Sequence, residues 1–378
     1  MKILILHTAS DLYGASKILL IVTEILVRKK HTPIVVLSED GPLVSELRKL
    51  NIEVHIVRLG ILRRKYFNVP GLFNRLAVSF KAWNILSKLI DEEKPEIIYS
   101  NTAGVLLGAF LARKKGIKHI WHVHEIITEP ALFTKIIGYL LNNFSHKVLV
   151  VSDAVKLHWQ QTVDPNRLIR VYNGIDMAPF HEKSSTLRDE LHISSETLII
   201  GMIGRVNHWK GQDYFLKIAK NLSDKYPDLH FIMAGDAFPG NENLVEELNQ
   251  NIKTLGLEHK VFNIGYRTDI VNILNALDIF VLPSTLPDPF PTVILEAMSA
   301  GKAVIATKHG GAPEMIEDGE SGVLIPVRDA ETAAKKISVL IENEALRIKM
   351  GNSAEYQVQK LFSKEAFEKS ILDVFGGY

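Results

Sequence analysis

The chain has no cysteine in its 378 residues. Disulfides, thiolate metal ligands and a cysteine nucleophile are therefore excluded, and the absence fits a reducing cytosol. Long apolar runs are missing as well. No segment reaches about 18 uninterrupted apolar residues, so no helix is expected to span a bilayer. The nearest run, ILLIVTEILV at 18–27, is broken by Glu24 and reads as a buried helix. The opening MKILILH is too short for a signal-peptide core. Net charge is nearly absent too. Forty-four Lys and Arg against 43 Asp and Glu leave +1, which gives no field favouring nucleic acid.

What is present is an ordinary globular composition, 47% apolar, over a length that suits two domains. Short apolar runs alternate with helical patterns of about 10–20 residues. The first half offers strands at 2–7, 33–38, 53–59, 96–101, 118–124, 146–152 and 167–172. After the polar segment 173–190 the alternation restarts, at 198–204, 229–235, 260–265, 278–283, 303–307 and 322–326. Such patterning predicts an α/β protein of parallel sheets covered on both faces, doubly wound in each half. Ligands in such folds sit at the carboxyl ends of the strands. If the two sets of ends face each other, the site is a central cleft. The expected division is an N-terminal domain at 1–175, a C-terminal domain at 176–358, and a last helix at 359–378 crossing back to the first.

Several motifs lie at strand ends. In GMIGRVNHWKGQ, Gly204 marks a turn and Arg205 and Lys210 follow, ahead of a helix. Two cations at a helix mouth suit a diphosphate, although two surface cations near a loop would look the same. The spacing is not that of a GxxxxGK[ST] phosphate loop, and no GxGxxG follows either opening strand. In LPDPFPTVILEAMSAG, Asp288 lies in a Pro-rich loop, Pro291 suits a helix start, and Glu296 falls within an aliphatic run. A carboxylate there needs polar partners, either hydroxyls of a ligand or backbone amides. In WHVHE, His122 and His124 share one strand face. They are open to three readings: a metal pair lacking a third ligand, one sugar-contacting histidine, or a packed structural pair. No D-x-D or GxSxG occurs. Finally, Val54 to Ile90 contains no acidic residue but seven Lys and Arg, among them Arg63, Arg64, Lys65 and Arg75, interleaved with aromatics. That mix suits an anionic membrane surface or an anionic acceptor, and equally a solvated helix face.

Together these residues resemble the retaining GT-B glycosyltransferases of family four, the glycosyl transferases group 1. GRVNHWKG is similar to that family's G-R-x(4)-K-G segment, and Asp288 and Glu296 to the ends of its E-x7-E block. The resemblance implies two Rossmann-like domains and transfer of a hexose-type sugar from a nucleoside-diphosphate sugar to an acceptor hydroxyl. The acceptor would be a lipid-linked glycan in surface polysaccharide assembly, handled in the cytoplasm or peripherally at the inner membrane face. It implies roles by position. Arg205 and Lys210 would hold the diphosphate, Glu296 the ribose, and Asp288 and His124 the sugar. Gly14, Gly204 and the stretch Pro289, Phe290, Pro291, Thr292 and Val293 would approach the donor, with the base near Gly265, Tyr266 and Arg267. No cofactor, metal or nucleic acid is implied. The chain departs from the family pattern at Asp288, one methylene shorter than glutamate, and at Tyr13-Gly14-Ala15-Ser16 where Gly-Gly-x-Glu is usual. A nucleotide-sugar epimerase on the same architecture, or a non-catalytic nucleotide-sugar-binding subunit, remains open.

Overall fold

The computed structural model describes residues 1–61 and 68–376. The chain forms two compact units, Met1–Gly174 joined by the chain from Phe367, and Ile175–Ala366. In the first unit the order is β1 (Lys2–His7), α1 (Gly14–Arg28), β2 (Thr32–Leu37), α2 (Pro42–Lys49), β3 (Glu53–Ile56), α3 (Val69–Glu93), β4 (Ile97–Asn101), α4 (Leu106–Lys115), β5 (Lys118–Val123), α5 (Ala131–Phe144), β6 (Lys147–Val150), α6 (Asp153–Trp159) and β7 (Leu168–Arg170). In the second it is α7 (Leu187–Glu190), β8 (Ile199–Ile203), α8 (Gln212–Lys225), β9 (His230–Ala234), α9 (Asn243–Thr254), β10 (Val261–Asn263), α10 (Ile270–Ala276), β11 (Ile279–Leu282), α11 (Thr292–Ser299), β12 (Ala303–Thr307), α12 (Ala312–Met315), β13 (Val323–Ile325), α13 (Ala330–Glu342) and α14 (Glu344–Leu361). Helix α15 (Lys364–Phe375) ends the described chain.

Every strand falls on one of the expected apolar runs, because an inner strand buried on both faces needs apolar residues at nearly every position, while the edge strands β3, β7 and β10 are partly exposed. The run 53–59 stops pairing as a strand at Ile56, yet Val57 N still donates to Leu37 O at 2.8 Å before Val57 and Leu59 turn inward. All pairings are parallel. The first sheet runs β3-β2-β1-β4-β5-β6-β7 and the second β10-β9-β8-β11-β12-β13. In each, the chain steps outward from a central strand, then returns to pair on that strand's other side. The reversal lies between β1 and β4 in one unit and between β8 and β11 in the other. In doubly wound sheets such a reversal, at the carboxyl ends of the strands, is where ligands bind.

Helix α1 and the chain end cover one face of the first sheet. Phe367, Ile371, Val374 and Phe375 pack with Ile3, Ile5 and Tyr99. Lys147 Nζ donates to Val374 O at 2.7 Å, and Lys29 Nζ lies 3.2 Å from Glu368 Oε1. The second unit runs through Ala366 rather than ending near 358. Phe362 stacks edge-on against Phe290 at 5.8 Å, and Ile175 N and Phe362 O bond at 2.9 Å. These contacts hold the residues before Phe367 to the second unit and those after it to the first sheet.

Because the Phe375 ring is fully buried against the first sheet, Phe375→Ala is expected to destabilise that unit by about 3–5 kcal/mol. Denaturant melting of the variant against the wild-type chain measures this. A loss below about 1 kcal/mol would show that the terminal helix is not part of this core.

Candidate active site

In the second unit the loop leaving β8 and the loop leaving β11 meet at the reversal point. Gly211, the residue before α8, has φ +84°, and a Cβ there would stand 1.9 Å from Pro283 O. No side chain fits, so the backbone of the cation-bearing loop lies directly on the end of β11. Thr285 N donates to Trp209 O at 2.7 Å across the same seam. Asn207 Oδ1 accepts from the amides of Trp209 and Lys210 at 3.1 and 2.9 Å, and Gln212 Nε2 donates to Arg205 O at 3.0 Å. The loop is therefore tied by its own side chains as well as to its neighbour.

The result brings Lys210 and Asp288 together. Lys210 Nζ donates to Asp288 Oδ2 at 2.5 Å, and both side chains are largely buried. The double glycine after β12 supports Asp288 from behind. A Cβ at Gly310, φ +62°, would fall 2.3 Å from Asp288 O, and Gly311 N donates to that oxygen at 2.8 Å. Pro289 and Pro291 then lead into α11, on which Thr292 and Val293 are half-buried and Glu296, one turn on, is buried. Helix α11 ends as its sequence implies: Gly301 has φ +69°, and Lys302 N donates back to Ala297 O at 3.1 Å. The Phe290 ring is buried and packed on Phe362.

Other candidates are placed apart from that pair. The Arg205 guanidinium lies over the Phe238 ring, 3.5 Å from its centroid, a cation–π contact that holds the side chain flat. Gly204 N pairs with Ala234 O, and Gly235 N with Gly265 O, which lines up three strand ends. Tyr266 is exposed. Arg267 bonds Asp269 at 2.8 Å and Glu190 at 2.8 Å, contacts that raise its pKa further and hold the Asp269 carboxyl well below the usual range. Its guanidinium is thus committed within the protein, a role that the sequence does not reveal.

In the first unit, His124 follows β5 and its Nε2 bonds Asn101 Oδ1 at 2.8 Å. Asn101, at the end of β4, also donates to Ala15 O at 3.1 Å. His7, at the end of β1, bonds Asn101 O at 2.8 Å through Nδ1 and Ser16 Oγ at 3.0 Å through Nε2. Ser16 Oγ donates to Asp11 Oδ1 at 3.1 Å. These residues surround the β1–β4 reversal, and Gly14 opens α1 beside them with φ +38°. Thr102, next to Asn101, has φ +135°, a strained conformation for a β-branched residue and one that clusters at functional sites. His122 and His124 stand side by side with ring centroids 4.2 Å apart, and Tyr99 OH bonds His122 Nδ1 at 2.5 Å. Burial pushes His7 down to about 4, His122 down to about 3, and His124 well below its ordinary value, so the cluster is neutral near pH 7. Among the described residues, no group of three or more His, Asp or Glu side chains is placed to hold a metal ion.

Glu125, Asn101, His7 and Asp11 are not singled out by any motif. The available signal is positional, since each lies within a few residues of a strand's carboxyl end. Arg75 lies on α3. Arg63, Arg64 and Lys65 lie outside the described residues.

Two family models match the chain. Glycosyl transferases group 1 covers residues 183–357 and Glycosyltransferase Family 4 covers residues 14–178. An Escherichia coli UDP-Gal:alpha-D-GlcNAc-diphosphoundecaprenol alpha-1,3-galactosyltransferase is 26% identical over 361 residues, 90% of this chain and 88% of that protein. The capsular polysaccharide biosynthesis glycosyltransferase CapM of Staphylococcus aureus is 24% identical over 91% of this chain and 96% of its own. The crystal structure of Anabaena HepE in complex with UDP and glucose matches with a TM-score of 0.87 at 26% identity, over 100% of both chains.

The Lys210–Asp288 pair means that an anion approaching Lys210 competes with a carboxylate. Asp288→Asn is therefore expected to tighten binding of inorganic pyrophosphate roughly threefold in isothermal calorimetry. Unchanged or weaker binding would contradict a masked cation at this point.

Proposed function

The chain belongs to the group 1 glycosyltransferases, and on that premise we propose that it moves a hexose from a UDP-sugar to an acceptor hydroxyl, retaining the anomeric configuration. The observation that carries this reading is the seam between β8 and β11. A lysine and a carboxylate meet there, beside a helix start, with a second carboxylate buried one turn further on. A diphosphate is the ligand that would take Lys210 and Arg205 from their present partners. Asp288, released from Lys210, would then accept from hydroxyls of the transferred sugar, and Glu296 from those of the ribose. Backbone from Phe290 to Val293 would approach the sugar and phosphate. The base would lie near Gly265 and Tyr266, and the committed guanidinium leaves Arg267 only its backbone for that purpose. The family resemblance also assigns donor contacts to His124 and Gly14. UDP as the nucleotide is favoured by the HepE complex and by the E. coli enzyme's name.

In the reaction the acceptor oxygen bonds to the anomeric carbon as the bond from that carbon to the phosphate oxygen breaks. The acceptor proton passes to the departing phosphate. The demand on the protein is stabilisation of developing negative charge, which Arg205, Lys210 and the first amides of α11 supply. Those two cations support a reading in which no metal is required.

The names of the E. coli and S. aureus relatives favour a lipid-linked acceptor in surface polysaccharide assembly. Two exposed apolar stripes in the first unit favour contact with a membrane face. Phe73, Leu76 and Phe80 run along α3, and Leu132, Ile136 and Tyr139 along α5, each at helical spacing. Arg75 accompanies the first stripe, and Arg63, Arg64 and Lys65 precede it in sequence. A cytoplasmic enzyme lying peripherally on an anionic leaflet fits these features.

Lys210→Ala and Glu296→Ala are each expected to lower transfer from UDP-glucose or UDP-galactose at least about 100-fold, while EDTA leaves wild-type turnover unchanged. Full turnover in both variants, or loss to EDTA reversed only by divalent ions, would overturn the assignment. With the donor alone, an epimerised sugar would instead favour the epimerase. In flotation with phosphatidylglycerol vesicles, the wild type should co-migrate and the triple change Phe73→Ser, Leu76→Ser, Phe80→Ser should not. Equal flotation of the two would remove the membrane role.

A further inference from the structure

Glu125 directly follows His124, and its carboxylate does unusual work at the carboxyl ends of β4 and β5. Its Oε2 accepts from Ala103 N at 3.0 Å and from His124 N at 3.0 Å. Its backbone oxygen accepts from the buried Trp159 indole of α6 at 3.0 Å. One residue therefore ties together the turn after β4, the turn after β5, and a helix. Asn101, which holds His124, closes β4, and the turn after it carries Thr102, whose carbonyl accepts from Trp121 Nε1 at 2.7 Å. If the Glu125 brace is removed, the strained Thr102 turn loses a fixed neighbour, and the His124 main chain loses its link to the strand that supplies its ring's partner.

We propose that Glu125 is a positioning residue. By holding the amides of Ala103 and His124 on one oxygen, it fixes the His124 imidazole against Asn101 and so sets the geometry in which transfer occurs. The consequence for catalysis rests on the function proposed above, whereas the brace itself does not.

The brace is also titratable. Burial pushes the Glu125 carboxyl up to about 7, and the Ala103 and His124 amides pull the other way. No charged side chain contributes to that shift. The titratable groups around it are His7, His122 and His124 and, from α6, His158. Each is held below its ordinary value, mainly by burial. An ionised carboxylate accepts amide hydrogens more strongly than a protonated one. The brace tightens as pH rises through about 7. Stability runs in the opposite sense. A carboxyl whose folded value lies above its ordinary 4.5 stabilises the fold fully below 4.5, and that contribution is lost as pH rises through about 7.

The test compares the full-length wild type with Glu125→Gln, which keeps a carbonyl for both amides but has no proton to lose, and with Glu125→Ala. With UDP-glucose or UDP-galactose as donor, wild-type kcat should rise through about pH 7. Glu125→Gln should lack that limb. Glu125→Ala should lose about tenfold or more in kcat with donor KM changed less than about twofold. Without any turnover, the wild type should lose thermal stability relative to Glu125→Gln as pH rises from about 4.5 to about 7. The His124 ring signal in histidine-labelled NMR spectra should shift in the alanine variant and stay in the glutamine one. The same pH limb in Glu125→Gln, or parallel stability curves together with an unmoved His124 signal in Glu125→Ala, would overturn the proposal. Absent turnover with the stability and NMR differences intact would instead count against the proposed activity and leave the brace standing.

Discussion

In each unit, one strand has neighbours that the chain reaches in opposite directions. That reversal is the constraint on which the rest depends. Parallel strands must be joined by crossovers, and when two crossovers part from a common strand, no helix covers the ground between them. The loops after β1 and β4, and after β8 and β11, border that ground. Nearly all the chemistry-bearing residues lie on these loops or on the loops after the next strands, β5 and β12. The apolar interiors on either side serve to hold the strand ends in register.

How closely two such loops can meet decides what can be built there. Between β8 and β11 the approach is at van der Waals limits. Gly211 lies on Pro283, and Gly310 and Gly311 lie on Asp288 and Pro289, where any side chain would collide. Glycine permits this at a conformational cost that the surrounding ties offset. The outcome is a lysine and an aspartate in direct contact within a largely buried seam, each the other's counter-ion. The first unit solves the same geometric problem without cations. Asn101 spans the reversal, its amide reaching across to Ala15 and its carbonyl to His124 on the neighbouring strand, and Glu125 ties the turns behind it. Polar groups at these depths are tolerated because nearly each has a partner. Neutral histidines, an uncharged amide and a carboxyl poised near neutrality make these strand ends polar without paired charges, whereas the second unit places a cation and an anion in contact.

Legibility in the sequence follows from how local each feature is. Parallel strands buried on both faces appear as apolar runs, so strand positions are legible to within about three residues at either end. The end of α11 could be read too, since Pro291 and Gly301 act on their own backbone. Arg205, Lys210, Asp288 and Glu296 stood out because they interrupt or follow such runs. Asn101 and Glu125 did not, although they lie in the same kind of place. An asparagine after a strand is common, and only its partners on two other strands mark this one. Arg267, which the family resemblance sets near the base, carries no local sign of its partners: Asp269, and Glu190, 77 residues away in the chain.

The sequence by itself determined the fold class, the strand positions and the residue types at each strand end, because hydrophobic periodicity and backbone preferences are properties of neighbouring residues. Tertiary structure decided which of those residues meet. The Lys210–Asp288 pair, the stacking of Arg205 on Phe238, the Asn101 bridge and the joining of residues after Phe367 to the first sheet all link positions far apart in the chain. Such pairings depend on strand order and loop approach. No short stretch of sequence encodes either, because both are set by how two whole sheets pack their apolar faces.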